Sequence, residues 1–194
     1  MDSARVLQMP ERRSDRRPQQ MPYPNYPIER HVRSNGHDFQ LAFAEEAAMR
    51  LHERFDDALL DASRDGLRIL ARHEQALKPP TDVLRALYPW QLEVGSPRVR
   101  YRASDVGREP VMRVKVNVPR RHVQAICKDL AGRTGRPVNV DQAYDRAEIT
   151  ATVRLARLLG YAEYVDIITR GECEVRICLS EYAPLEPPDG PAAA

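Results

Sequence analysis

The chain has 194 residues and a mass of 22.2 kDa, enough for one compact domain with accessory segments or for two small domains. Its 30 Lys and Arg against 28 Asp and Glu leave a formal net charge of +2, which excludes a global electrostatic bias toward nucleic acid. The basic side is nearly all arginine, with Lys78, Lys115 and Lys128 the only lysines, and arginine's planar fork of donors suits phosphate contacts. Cys127, Cys173 and Cys178 are odd in number and form no CxxC pair, so neither a disulfide framework nor a zinc site is implied. A reducing, cytoplasmic setting fits that cysteine usage. No apolar run approaches the roughly 20 residues that span a bilayer, so no membrane partner is expected. The N-terminus lacks the apolar core of a secretory signal.

Residues 1–36 are rich in proline, arginine and glutamine, with Tyr23 and Tyr26 between Pro22, Pro24 and Pro27. Such a segment buries too little apolar surface to offset its ordering entropy, and a disordered arm is expected. Residues 37–108 read as a helical region that ends in a strand. Phe39, Phe43, Ala47, Leu51, Phe55 and Leu59 recur at every fourth residue, one apolar stripe on a helix over residues 38–77. Asp65-Gly66 would kink that helix, and Pro79-Pro80 would end it. The stripe needs a cover, which makes Phe39, Phe43, Leu51, Phe55 and Leu59 candidates for a protein interface, a homo-oligomer contact included. Beyond it, Leu92-x-Val94-Gly95-x-Pro97-x-Val99-x-Tyr101 reads as a strand entered through a Gly-Ser-Pro turn.

Residues 109–183 carry the clearest pattern: strand, helix, strand, strand, helix, strand, before a flexible tail at 184–194. Met112, Val114, Val116 and Val118 alternate with Arg113, Lys115 and Asn117. Ile149, Ala151 and Val153 alternate likewise, as do Cys173, Val175, Ile177 and Leu179; Val138 and Val140 form the remaining strand. Period-two alternation implies a sheet with one buried and one wet face. Val123, Ile126, Cys127 and Leu130 share one face of the first helix; Leu155, Leu158, Leu159, Ala162 and Val165 share one face of the second. Two right-handed β-α-β units folded together give an α+β, ferredoxin-like βαββαβ sandwich.

The landmarks Glu109-Pro110-Val111-Met112, Asp129-Leu130, Arg133-x-Gly135-Arg136, Leu155-Ala156, Gly160-Tyr161-Ala162, Thr169-x-Gly171 and Tyr182 keep the order and spacing of a known domain. They resemble the C-terminal (fifth) domain of elongation factor G and related translational GTPases. Residues 94–102 resemble the end of that family's third domain. The family's intervening domain has no counterpart between Ser104 and Arg108. Departures from the family pattern include Thr134, Arg154, Asp166 and Glu172, the last where a small or basic residue is usual.

The resemblance implies a non-enzymatic factor that binds the ribosome, through rRNA and large-subunit proteins, or a translation factor. None of the nine glycines is followed by lysine, so no phosphate loop for GTP occurs, and no cofactor or metal is implied. Arg133 and Arg136 at a glycine-bearing helix exit could clasp a phosphate. Together with Arg120, Arg121, Lys128 and Arg170 they are the candidate ribosome or RNA contacts. The open sheet face carries Arg113, Lys115 and Arg176 but no aromatic residue, which argues against base stacking there. The alternative function is an oligomerisation or regulatory module built on the ferredoxin-like domain and the amphipathic helix.

Overall fold

The computed structural model describes residues 23–36, 39–51, 55–102, 107–134 and 137–185. Arg136 and residues 1–22 lie outside them. The described chain folds as two βαββαβ units in tandem. The first comprises β1 (Ile28–Ser34), α1 (Gln40–Arg50), β2 (Ala58–Ser63), β3 (Gly66–Ala71), α2 (Lys78–Leu87) and β4 (Leu92–Val94), with β5 (Arg98–Val99) added beside β1. The second comprises β6 (Arg108–Pro119), α3 (Arg120–Thr134), β7 (Asn139–Ala143), β8 (Arg146–Arg154), α4 (Tyr161–Thr169) and β9 (Glu174–Pro184). Strand order is β2-β3-β1-β4 in one sheet and β7-β8-β6-β9 in the other, the same permutation twice. Every pairing is antiparallel.

The second unit forms as its alternation predicts. Met112, Val114, Val116 and Val118 are buried, as are Ile149 and Val153 opposite, with Ile126 and Leu130 of α3 over them. Pro119 closes β6 and pairs with Arg146. One detail differs. A 3-10 turn at Leu155–Arg157 precedes α4, so Leu159 turns outward and the apolar contact falls to Tyr161, which is fully buried.

The first unit corrects the helical reading of residues 38–77. The every-fourth-residue stripe is helical only through Arg50. Asp65-Gly66 is a hairpin turn between β2 and β3, not a kink: Gly66 has φ +118, and a Cβ there would lie 2.5 Å from the Val32 carbonyl oxygen. Leu67, Ile69 and Ala71 then point into the core at the period of a strand. Pro79 and Pro80 occupy the first turn of α2, where no amide donor is needed, so they open a helix instead of ending one. The proposed interface stripe is thereby dispersed. Phe43 and Leu51 are buried in this unit's own core, Phe55 packs against it, Leu59 pairs with Leu70 in β2–β3, and Phe39 is 79% exposed. The N-terminal arm is corrected in part, because β1 lies within residues 1–36 and is the central partner of β3, β4 and β5.

A buried polar cluster joins the units. The Tyr182 hydroxyl of β9 donates to the Pro24 carbonyl (3.0 Å), and the Arg102 guanidinium lies 3.9 Å over the Tyr182 ring. Arg100, with its side chain only 8% exposed, donates to the carbonyls of Tyr23 (3.1 Å) and Tyr26 (2.8 Å) and pairs with Glu29. Arg102 and Arg108 exchange backbone hydrogen bonds of 2.9 and 3.0 Å, so the last described residues of the first unit enter the second across a closed bridge.

Two glycines separate strain from propensity. Gly66→Ala is expected to lower stability by about 1–3 kcal/mol, because it forces a side chain into positive φ against the β1 backbone. Gly132→Ala, within α3 and with open space around its Cβ, is expected to raise stability by about 0.5–1 kcal/mol. Urea midpoints of the two variants check the opposite signs.

Candidate nucleic-acid interface

The ferredoxin-like topology sorts the predicted basic residues by end. The start of α3, the β7–β8 turn and the α4–β9 turn converge at one end of the second unit; the exit of α3 and the entry to α4 lie at the other. Arg120, Arg121 and Arg170 therefore come together, Lys128 stands exposed along α3, and Arg133 sits at the far end.

At the first end the backbone is tied tightly. The Arg120 amide donates to the Asp145 carbonyl (3.0 Å). Arg146 donates to the Asn117 carbonyl (3.1 Å) and the Glu172 carbonyl (3.2 Å). Arg121 pairs with the Glu172 carboxylate, and His122 approaches the same carboxylate at 3.8 Å. Glu172 thus occupies one arginine of the predicted set. Arg120 and Arg170 are exposed and make no side-chain hydrogen bond or ion pair among the described residues. Arg170 holds a left-handed conformation at the C-cap of α4 (φ 54) and Gly171 follows it (φ 78), which turns the chain sharply into β9.

The sequence reading missed Tyr144. It sits in the β7–β8 turn next to Asp145, with φ 37 and a side chain 96% exposed. A non-glycine residue in the left-handed region with no packing to stabilise it marks a site where strain is retained. The available signal was an aromatic residue within the polar run Asp141-Gln142-Ala143-Tyr144-Asp145-Arg146, a composition that favours a turn but gives the ring nothing to cover. The sheet face lacks aromatics, as read, and the exposed ring stands at the sheet's end instead.

Arg133, one of the candidate contacts, serves as an internal brace. Its guanidinium pairs with Asp129 (2.8 Å), donates to the Arg157 carbonyl (2.6 Å) and lies 4.9 Å over the Tyr161 ring. Arg157 returns a hydrogen bond to the Arg133 carbonyl (3.0 Å). Burial, and then the Asp129 carboxylate, push the Tyr161 phenol well above its usual pKa, while Arg133 acts the other way. The α3 exit and the α4 entry are thus riveted by one arginine whose charge is already matched. Arg154 is used similarly, paired with the buried Glu109 at 3.1 Å.

Residues 107–189 match the family model of the elongation factor G C-terminus. This segment is similar to the elongation factor G C-terminal domain over its whole length. Over 81 residues, 42% of the chain, it is 31% identical to "Ribosome-releasing factor 2, mitochondrial" of Danio rerio. Over 63 residues, 32% of the chain, it is 43% identical to "Elongation factor G 2" of Streptomyces coelicolor. Those alignments span only 11% and 9% of the two relatives, so the chain covers about a tenth of the length of these proteins. A crystal structure of a Thermus thermophilus protein aligns with 83% of this chain and 41% of its own, with a TM-score of 0.60 at 15% identity. That likeness concerns fold alone, and it extends beyond the elongation factor G C-terminal domain into the first unit.

The two classes of arginine separate experimentally. Arg133→Glu, which breaks a charge-assisted hydrogen-bond set, is expected to cost about 2 kcal/mol and lower the melting temperature by several degrees. The double substitution Arg120→Glu with Arg170→Glu is expected to leave the melting temperature within about 1–2 °C of the parent, since exposed unpaired charges contribute little. Calorimetry of both variants checks the contrast.

Proposed function

We propose that this chain is a non-enzymatic, translation-factor-like protein of the cytoplasm that binds the ribosome through the free end of its elongation factor G C-terminal domain. The observation that carries this reading is the placement of Tyr144, a strained and exposed aromatic ring, at the same end as the guanidinium groups of Arg120 and Arg170, which are unpaired among the described residues. An aromatic face with flanking arginines matches the chemistry of an unpaired base and its phosphates. The domain's family and the names of its relatives support a ribosomal setting. In the family that the sequence resembles, this domain lies against the large subunit near the factor-binding centre. The partner is accordingly ribosomal RNA with large-subunit proteins, with a translation factor as the companion possibility. No GTP binding is assigned to this chain. It would occupy part of a factor site without driving translocation.

Binding of the full chain to purified ribosomes, followed by pelleting through sucrose at several salt concentrations, tests the reading. Tyr144→Ala is expected to weaken binding by about 5- to 150-fold, the equivalent of one lost base stack of about 1–3 kcal/mol. Arg120→Glu with Arg170→Glu is expected to weaken it further and to flatten the salt dependence, because two phosphate contacts are removed. Salt-independent binding, or binding unchanged in both variants, would contradict the proposal.

A further inference from the structure

The units meet along β9, and the seam is tight at one end and open at the other. Tyr182 anchors it at Pro24 and Arg102. Seven residues earlier, about 23 Å along the strand at 3.2–3.4 Å per residue, Val175 lines a groove of about 850 Å³ between α2 and α4. Only one hydrogen bond among the described residues spans that groove: the Gly160 amide, at the start of α4, donates to the Glu74 carboxylate (2.7 Å).

The two walls carry opposite charge. Lys78, Asp82 and Arg85 fall on one face of α2 at spacings of four and three, and Arg30 of β1 lines the same wall. Asp82 and Arg85 approach at 3.8 Å with both side chains more than half exposed. Arg30, Lys78 and Arg85 outnumber Glu74 and Asp82, so this wall keeps a positive excess. Arg30 donates to the Thr81 hydroxyl (3.2 Å), while its buried Nε has no partner among the described residues. Burial, and then the neighbouring Arg85, lower its pKa, while Glu74 and Asp82 act the other way. The facing wall presents Glu163 and Asp166, one turn apart on α4. No ion pair within 4.0 Å joins the walls among the described residues.

We propose that this groove is a cleft that closes by ion pairing of Lys78 and Arg85 with Glu163 and Asp166. The units would rock about contacts that already cross the seam, the Tyr182 cluster with the Arg102–Arg108 bridge at one end and Glu74 to Gly160 at the other. The closed and open forms differ in pairing between solvated charges, so their balance follows ionic strength. The inference is independent of ribosome binding.

A zero-length carbodiimide cross-link, read by peptide mass spectrometry on the full chain, tests it. With only three lysines, the map is simple, and the 2.8 Å Lys115–Glu148 pair is an internal control. A mixture of light and heavy isotope-labelled chains separates links within a chain from links between chains. The expected result is an intrachain link from Lys78 to Glu163 or Asp166 at low salt. Its yield should fall about threefold or more, relative to the control, as the screening length drops from about 10 Å to about 3 Å. Lys78→Glu together with Glu163→Lys should restore the link with its ends exchanged. A control link that forms while Lys78 joins only Glu74 or Asp82, or joins no carboxylate, would overturn the proposal. So would failure of the charge-exchanged pair to link while the protein's melting temperature is unchanged.

Discussion

The arrangement of this protein depends on the polar cluster around Tyr182. A phenol hydroxyl, two guanidinium groups and three carbonyls of residues 23–26 meet where the units join, largely out of solvent. Burying such groups is tolerable only when nearly every donor finds an acceptor. Here the N-terminal segment supplies the acceptors. Burial raises the Tyr182 phenol above its usual pKa, and Arg102 and Arg100 oppose that shift, so it stays a neutral donor at physiological pH. Remove the segment before β1 and Arg100 would be left with buried, unmet donors. The described part of the proline-rich stretch is thus a structural strap, for all its disordered composition.

The arginine bias resolves into separate tasks. Arg100 and Arg102 serve the seam. Arg133, Arg146 and Arg154 tie elements of the second unit to carbonyls and carboxylates of their neighbours. Arg120 and Arg170 are held on tightly bonded backbone and make no side-chain pairing among the described residues, a contrast on which their proposed role as ligand contacts rests. Arg121 would join them but for Glu172. That acidic residue stands where the resemblance leads one to expect a small or basic one, so this surface carries less positive charge than its relatives' pattern suggests.

Legibility in the sequence followed the source of the signal. The second unit was readable because β6, β8 and β9 alternate over their central residues and α3 keeps one apolar face. The first unit was not. Its Phe39-to-Leu59 stripe has helical spacing across the boundary where α1 stops, and β2 is half-buried throughout, without a two-residue rhythm. Asp65-Gly66 and Pro79-Pro80 were seen, but each permits two readings, kink or hairpin and stop or start, and only tertiary packing decides. At the candidate site, residue type could not separate the exposed Arg120 and Arg170 from the engaged Arg133, because sequence records a charge but not whether a carbonyl already holds it. Tyr144 escaped because its meaning lies in what does not touch it.

The most direct test of the central claim is ultraviolet cross-linking of the full chain to ribosomes, with the linked peptides mapped by mass spectrometry. A cross-link at the β7–β8 turn, with RNA mass on Tyr144, is the predicted result. RNA attached only within the first unit, or ribosome association with no RNA adduct near Tyr144, Arg120 or Arg170, would contradict the assignment of that end of the domain as the binding surface.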